Sequence, residues 1–437
     1  MIAGFQVRFL SELPSNWGVD AAAAANHPLV TACLHGHDEV VAFLCGLPPA
    51  RGVDPCAQDQ FALEKAAQYG HTKCVRILCG LPPERGVKPA SGNNIALLVA
   101  GKNGHAAVVR ALCSLPRARG VRDQLTLGRL LHHACQKGHS AVATVLSKFV
   151  VRGIWRNAAL QVAAKEGHID AVRAFSQTQD TWPIALQCAA KHGHLDIVMF
   201  ITKKLHSLGL KRLGAHLSSA VGLAARYGHA HVVKALCDLP PEFGVDAAWS
   251  ATKKNHVFEA ARNGHADVVK VLCSLPVTRG VNVACRARPD HSALRIAAWC
   301  GHADVVRYLC SLPPDRGVDP SADNYAPLLN AATLDEVDVL RELCAALCDR
   351  GVLPPHAALS VLHRAVDRTA LSCVRLLCAV ITGSLCASQL LGDTPRAWPE
   401  PGASVVCQEI CWQRTRCLLI ITHLLRNGQA VRRVAVE

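Results

Sequence analysis

The chain has 437 residues, of which half are apolar and only 18% are charged, so it is not an intrinsically disordered chain. Aromatic residues make up only 5%, which predicts a core built mainly from Ala, Leu, Val and Cys. The net charge of +14 favours acidic partners if the charge is clustered on one surface.

The predicted location follows from the cysteines and the apolar runs. There are 21 cysteines and no signal-peptide pattern at residues 1–10, which favours a reducing intracellular compartment, cytoplasmic or nuclear. No apolar run is long enough to span a bilayer, so no membrane association is expected.

A Gly-His dipeptide returns nine times and divides the chain into repeats. The glycines of these pairs are Gly36, Gly70, Gly104, Gly138, Gly167, Gly193, Gly228, Gly264 and Gly301. The first four are 34 residues apart, and the later gaps range from 26 to 37. Asp335 and Thr369 continue the frame without the dipeptide. Such self-similarity is typical of an array of stacked units.

Each unit predicts two short helices. A small pair such as Ala260-Ala261 precedes the glycine at helical spacing, and the glycine is expected to end the first helix in a left-handed conformation. An aliphatic pair such as Val268-Val269 then begins the apolar stripe of a second helix. Leu-Pro-Pro, as at Leu312, is expected to stop that helix, because proline cannot continue it.

This pattern of a small-residue helix, a Gly-His turn and a Val-Val helix resembles the ankyrin repeat. The resemblance covers nearly the whole chain and implies an all-α, ankyrin-type helical-repeat solenoid with about eleven repeats plus degenerate caps. The family's Thr-Pro-Leu-His start of the first helix is eroded, with His27-Pro28-Leu29 among the closest matches. Because that motif ties neighbouring repeats together in the family, different ties are expected here.

Five segments are predicted along the chain. They are a partial N-terminal repeat or cap at 1–26, regular repeats at 27–139, irregular basic repeats at 140–223, regular repeats at 224–383, and a loop with C-terminal capping helices at 384–437. Within the irregular segment, a basic connection without Pro-Pro is expected from Lys203 to Ser218.

The cysteines are interpreted as structural. Eight of them stand nine residues after the glycine position, where a small buried residue would end each second helix; they are Cys45, Cys79, Cys113, Cys237, Cys273, Cys310, Cys344 and Cys378. A ladder of disulfides is not expected, since packed helices lie about 8–10 Å apart. Cys407, Cys411, Cys417 and His423 form no pair of Cys-x-x-Cys knuckles, so neither a metal site nor any cofactor is predicted.

The histidines and a second set of arginines are also interpreted as structural. Each Gly-His imidazole is expected to bond to local or adjacent-repeat backbone. The arginines precede a glycine in the connecting loops and are expected to close those loops through backbone carbonyls or an acidic neighbour. They are Arg51, Arg85, Arg119, Arg152, Arg279, Arg316 and Arg350.

The strongest indication of function is a run of basic residues at the first-helix ends. Residues 101–234 contain 19 Lys and Arg against 5 Asp and Glu. The difference, +14, equals the net charge of the whole chain. The candidate cations are Lys102, Lys137, Lys165, Lys191, Arg226 and Arg262, and the candidate aromatic anchors are Tyr69, Tyr227 and Trp299. In the resembled family this region borders the concave binding surface, so an acidic partner is expected there. The alternative is that these residues are solvated helix ends, where cations interact favourably with the C-terminal end of the helix dipole.

The sequence therefore predicts a non-catalytic scaffold that binds a protein partner on the concave surface and loop tips. No nucleophile, phosphate-loop or zinc-protease motif is present, which argues against an enzyme. Nucleic-acid binding through 101–234 is an alternative, although stacking aromatics are not interleaved with the charge. Recruitment of an enzyme complex through the C-terminal unit is another.

Overall fold

The computed structural model describes only part of the chain. The described residues are 23–48, 53–85, 87–116, 123–151, 153–175, 181–209, 213–246, 256–275, 292–313, 316, 318–350 and 355–381. The predicted C-terminal capping helices, and the predicted N-terminal cap apart from 23–26, lie outside them. The chain divides into two compact units, unit 1 (Met1–Ala189 with Met199–Ile201) and unit 2 (Ala190–Val198 with Thr202–Glu437).

Unit 1 contains five consecutive helix pairs among its described residues. They are α1 (Ala23–His35) and α2 (Asp38–Gly46), α3 (Ala57–Gln68) and α4 (Thr72–Gly80), α5 (Ser91–Lys102) and α6 (Ala106–Cys113), α7 (Gln124–Lys137) and α8 (Ser140–Leu146), and α9 (Gly153–Glu166) and α10 (Ile169–Arg173). A short 3₁₀ turn follows α4 at Pro83–Arg85.

The next pair contributes residues to both units, and five further described pairs belong to unit 2. The shared pair is α11 (Trp182–His192) and α12 (Leu195–Ser207). The pairs of unit 2 are α13 (Leu213–Arg226) and α14 (Ala230–Cys237), α15 (His256–Arg262) and α16 (Ala266–Ser274), α17 (Ala293–Trp299) and α18 (Ala303–Ser311), α19 (Ala322–Thr333) and α20 (Val337–Asp349), and α21 (Pro355–Asp367) and α22 (Leu371–Ile381). The described residues contain no strand, which confirms the all-α helical-repeat fold.

The core has the composition that the sequence predicts. In unit 2 the small pairs of the first helices are completely buried, as at Ala260-Ala261 and Ala297-Ala298. The paired valines of the second helices, such as Val268-Val269, are equally buried. Since alanine side chains are short, successive first helices can approach closely and still exclude water.

The second helices end where Leu-Pro begins. The residue after α2 is Leu47, whose φ of −64° and ψ of 144° are extended, and Leu81 and Leu312 adopt the same conformation after α4 and α18. Each of these leucines precedes a proline, which disfavours helical geometry in the residue before it. The predicted stop signal is therefore confirmed.

Three first helices begin with a left-handed turn. Within α3, the residues Gln58, Asp59 and Gln60 have φ between 53° and 73°, and regular helix follows. Helices α5 and α19 begin in the same way, at Gly92 and Asp323. The turn of α3 places Gln60 in a buried position where its Oε1 accepts a hydrogen bond from the Lys88 N–H at 3.2 Å, which joins this pair to the next.

Other buried or half-buried polar side chains at the starts of first helices make the same kind of tie. Asn26 Oδ1 accepts from the Asp54 N–H at 2.8 Å, and Ser218 Oγ accepts from the Asp246 N–H at 2.9 Å. Each bond joins residues that are 28 positions apart. It therefore links the first helix of a pair to the connection that follows the second helix of that pair. These bonds are part of what replaces the eroded Thr-Pro-Leu-His motif.

The structural interpretation of the cysteines is confirmed where they are described. None of the described cysteines takes part in a disulfide, and burial raises the pKa of Cys45 to about 11 and of Cys273 and Cys344 to about 12. Thiols held in this protonated form are poor nucleophiles and weak metal ligands. Cys310 and Cys378 are half-buried members of the same set.

The loop arginines bond to backbone carbonyls of the preceding pair. Arg350 is the fullest example, since its Nη2 donates to Cys310 O at 2.7 Å and Leu312 O at 3.4 Å, and its Nη1 donates to Val318 O at 3.1 Å. Arg85 and Arg316 make similar bonds to the ends of earlier second helices. The predicted closure through carbonyls is thus confirmed for these three; the others, Arg51, Arg119, Arg152 and Arg279, lie outside the described residues.

We expect Arg350→Met to lower the free energy of unfolding by about 1.5–3 kcal/mol, because hydrogen bonds from a charged group to the carbonyls would be lost. The matched control is Arg341→Met, which removes an exposed ion pair with Asp338 at 2.9 Å and should cost less than about 1 kcal/mol. Urea titrations monitored by circular dichroism measure both. Equal losses in the two variants would show that the carbonyl bonds contribute nothing specific.

One predicted connection is corrected. The sequence predicts a loop from Lys203 to Ser218, but α12 continues through Ser207 and α13 begins at Leu213. The residues Leu205 and Leu217 are fully buried, so both helices extend because they bury apolar side chains. Separately, none of the described helices combines the length and apolarity that a membrane crossing requires.

Candidate functional site

The candidate site is built on the glycine that ends each first helix. These glycines have φ near +80°, for example +81° at Gly70 and +84° at Gly228, where a side chain would be strained. The next residue closes the turn, since the His71 N–H bonds to Ala66 O at 2.9 Å. This six-to-one bond is the mark of a Schellman motif. Asp335 and Thr369 hold a φ of 58° at the same point, which confirms the frame beyond the last Gly-His.

In seven of the Gly-His pairs the histidine reaches back to the preceding helix pair. Its Nε2–H donates to the carbonyl of the residue two before the preceding glycine, at 2.9–3.3 Å. The bonds within the units are His71 to Leu34, His105 to Gln68, His139 to Lys102, His168 to Gln136, His229 to Lys191, His265 to Arg226 and His302 to Arg262. The predicted backbone role of these imidazoles is confirmed, and it uses a carbonyl left unpaired at the helix end.

The same imidazole packs against the glycine of the preceding pair. A Cβ on Gly70 would lie 2.6 Å from His105 Nδ1, and one on Gly264 would lie 2.7 Å from His302 Nδ1. The glycine is therefore required twice, by its positive φ and by the ring of the next repeat. In the pair after Gly301 the carboxylate of Glu336 takes the place of the ring.

This joint places the candidate cations of unit 1 at fixed points. We call Lys102, Lys137 and Lys165 the unit 1 row; each lies one or two residues before a glycine and is exposed. Burial, together with the charges of Lys102 and Lys137, lowers the pKa of His133. Lys165 forms an exposed ion pair with Glu166 at 3.2 Å.

The candidate residues of unit 2 follow the same register. We call Lys191, Arg226, Arg262 and Trp299 the unit 2 row, because each lies two residues before its glycine. The two arginines are exposed and Lys191 is half-buried, while Trp299 is 51% exposed. The row therefore presents three cations followed by one aromatic ring.

Tyr227 joins the unit 2 row through a cation–π contact. The ring lies next to Arg226 in the chain and is 43% exposed, and Lys191 Nζ is 5.0 Å from its centroid. Such contacts hold an ammonium group over an aromatic face. Tyr69, the third candidate anchor, is 52% exposed beyond the end of α3 in unit 1.

The sequence interpretation missed two exposed apolar side chains in unit 1. Val151 is 79% exposed and Ile154 is 74% exposed at the start of α9. The core face of α9 is formed by Ala159, Leu160 and the residues one turn later, and this spacing already places Ile154 off that face. The helical spacing of the sequence was therefore sufficient to predict that Ile154 is exposed.

No metal-binding arrangement of three or more His, Cys, Asp or Glu residues occurs among the described residues. The Cys407, Cys411, Cys417 and His423 group lies outside the described part of the chain.

The paired helices, the Gly-His turns and the ties between pairs define an all-α helical-repeat protein. A family model described as ankyrin repeats, in three copies, matches residues 186–284 and 221–324. The chain contains ankyrin repeats, which the family model places within residues 186–324. No curated protein is similar enough to the chain to be matched.

Proposed function

We propose that this chain is a non-catalytic scaffold that binds an acidic protein partner along the first-helix ends. Ankyrin repeats in general mediate protein–protein interactions and are typically non-enzymatic modules. The observation that carries the proposal is the coupling of the histidine joint to the cations. Each imidazole bonds to the main chain of the residue two before the glycine, and in unit 2 that residue is itself Lys or Arg.

The energetics favour specificity over raw affinity at such a surface. Exposed ion pairs contribute only about 0–1 kcal/mol each, so a single lysine would bind weakly. A row of cations on rigid helix ends raises the association rate of an acidic partner and selects against basic ones. The exposed ring of Tyr69 in unit 1 and those of Tyr227 and Trp299 in unit 2 add apolar area at first-helix ends. The described cysteines form no disulfides, which agrees with a reducing compartment, and we propose such a compartment as the location.

Replacing the six candidate cations with glutamine is expected to abolish most binding of acidic proteins. The residues changed are Lys102, Lys137, Lys165, Lys191, Arg226 and Arg262. The matched control changes six other exposed cations by the same charge; these are Arg110, Arg129, Lys148, Lys203, Lys234 and Lys270. Quantitative mass spectrometry of proteins captured from nuclease-treated lysate compares the two variants with the original chain.

The proposal requires at least about a tenfold loss of the captured acidic proteins in the first variant, and retention in the control. Equal loss in both variants would mean that only net charge matters. If the original chain captures proteins from untreated lysate but not from nuclease-treated lysate, the basic residues serve nucleic-acid binding instead. Recruitment of an enzyme complex through the C-terminal unit concerns residues outside the described part of the chain, and loss of capture on deleting 403–437 would favour it.

A further inference from the structure

We propose that the unit 2 row binds an acidic segment in the polyproline II conformation, with acidic side chains three residues apart. The inference rests on the proposed function and names the chemistry of the partner. The stations are the three cations Lys191, Arg226 and Arg262, with the Trp299 ring as the fourth.

The spacing of the stations is set by contacts between successive pairs. The Lys191 and Arg226 carbonyls accept from His229 and His265 at 2.9 and 3.0 Å, and the Arg262 carbonyl accepts from His302 at 3.0 Å. The helices α13, α15 and α17 pack in succession through alanine pairs that are completely buried. Helices packed in this way have axes about 8–10 Å apart, so the stations repeat at about that distance.

A polyproline II segment is the backbone conformation that matches this repeat. It rises about 3.1 Å per residue with three residues per turn, so every third side chain lies on one face at about 9.3 Å. In a β-strand, side chains on one face are two residues apart, or about 6.6 Å. In an α-helix one turn advances about 5.4 Å, and seven residues advance about 10.5 Å. The strand value lies well below the spacing of the stations and the seven-residue helix value lies just above it, so polyproline II is the conformation whose repeat falls within that range.

The chemistry of the row selects the side chains of the segment. Three successive cations favour Glu or Asp at three successive third positions. Trp299, which is 51% exposed, offers an apolar face for proline or leucine at the next third position. The contact between Lys191 and the Tyr227 ring at 5.0 Å holds the first cation in place without neutralising it.

One acidic side chain of the protein itself competes at the second station. Glu259 Oε2 lies 3.9 Å from Arg226 Nε, and this carboxylate is only 17% exposed while the arginine is 57% exposed. An acidic ligand at Arg226 therefore meets some repulsion from Glu259. Removing that charge should strengthen binding of the proposed ligand.

The test measures fluorescence anisotropy of labelled peptides with the full chain at low salt. The probe carries three Glu residues at every third position, a Leu at the next third position, and Pro and Ser elsewhere. A second peptide has the same composition with the three Glu residues adjacent, and a third is an Ala-rich helix with Glu at every seventh position. We expect the probe to bind about tenfold more tightly than either of the others.

Variants of the row connect the binding to its residues. Arg262→Gln should weaken the probe by about two- to fivefold, while Lys270→Gln, which changes an exposed lysine outside the row, should leave it unchanged. Glu259→Gln should tighten the probe by about two- to fivefold. Thermal unfolding of each variant shows that the fold is retained.

Equal binding of the two composition-matched peptides, or tighter binding of the helical peptide, overturns the inference. If the six-cation variant still loses its acidic proteins in that case, the proposed function stands and only the conformation of the partner is wrong. If the probe binds in register but the captured proteins do not depend on the cations, the peptide site exists and the proposed function fails.

Discussion

Gly70→Ala is expected to lower the free energy of unfolding by about 2–4 kcal/mol, and Gly80→Ala to change it by less than about 1 kcal/mol. Gly70 has a φ of +81°, where an alanine side chain costs about 1–2 kcal/mol relative to glycine. Its Cβ would also lie 2.6 Å from His105 Nδ1, so the ring of the next pair would have to shift. Overpacking of that kind costs about a further 1–3 kcal/mol.

Gly80 is a demanding control because the chemical change is identical and lies only ten residues away. It is the last residue of α4, and a Cβ added there would have no other atom within 4 Å. Alanine has the higher helix propensity, so a slight gain in stability is expected. Equilibrium denaturation of both variants gives the comparison. Equal losses at the two glycines would remove the special role assigned to the turn.

Acidification below pH 6.5 is expected to destabilise unit 2 through one buried histidine, His256. The ring is only 4% exposed and packs against Gly222, whose Cβ would lie 2.8 Å from its Cε1. Its Nε2 has no hydrogen-bond partner among the described residues. Burial lowers the pKa of His256 to about 4, although the charge of Asp246 acts in the opposite direction.

The sign of the effect follows from proton binding in the two states. Above about pH 6.5 the imidazole is neutral in both folded and unfolded chains, so stability is complete. Between about pH 6.5 and 4 only the unfolded chain takes up the proton, and stability falls by about 1.4 kcal/mol per pH unit, to a total of about 3 kcal/mol. The contribution is therefore lost as the pH falls through the folded-state pKa.

His256→Ala isolates this contribution, since Ala62 and Ala96 occupy the same repeat position elsewhere. The variant should lose less stability than the original chain between pH 6.5 and 4, whatever its stability at neutral pH. His27→Gln, which changes an exposed ring, is the control and should follow the original curve. Parallel curves for His256→Ala and the original chain would contradict the prediction.

The repeat frame could be predicted from the sequence because its signals are local. A glycine that ends a helix, an alanine pair at helical spacing and a proline that stops the next helix all act within one unit. These signals located the turns, including the frame positions Asp335 and Thr369, which carry no Gly-His. They also placed Cys273 and most of its equivalents at the buried ends of second helices.

The hydrogen bonds that tie first helices to the connections could not be predicted from the sequence, because their partners lie 28 or more residues apart. Nothing local marks Asn26 or Gln60 as an acceptor for the backbone of the next connection. The extent of α12 was missed for a related reason. The basic residues near Lys203 suggested a loop, whereas the burial of Leu205 decides for helix.

The candidate site was predictable in position and not in chemistry. The register before each glycine located Lys191, Arg226 and Trp299 at equivalent helix ends. Three features needed three-dimensional distances: the contact of Lys191 with Tyr227, the carboxylate of Glu259 beside Arg226, and the histidine bonds to the row's own backbone. These are the features on which the proposed choice of partner rests.

The Gly-His turn joins successive helix pairs, and we propose that this joint sets the spacing of the cations. A double-mutant cycle on Gly70→Ala and His105→Ala tests it most directly, because removing the ring also removes the obstacle to the new Cβ. The double variant should be more stable than the sum of the two single effects predicts, by about 1–3 kcal/mol. Additive effects, within about 0.5 kcal/mol, would show that the two residues act independently and would contradict the claim.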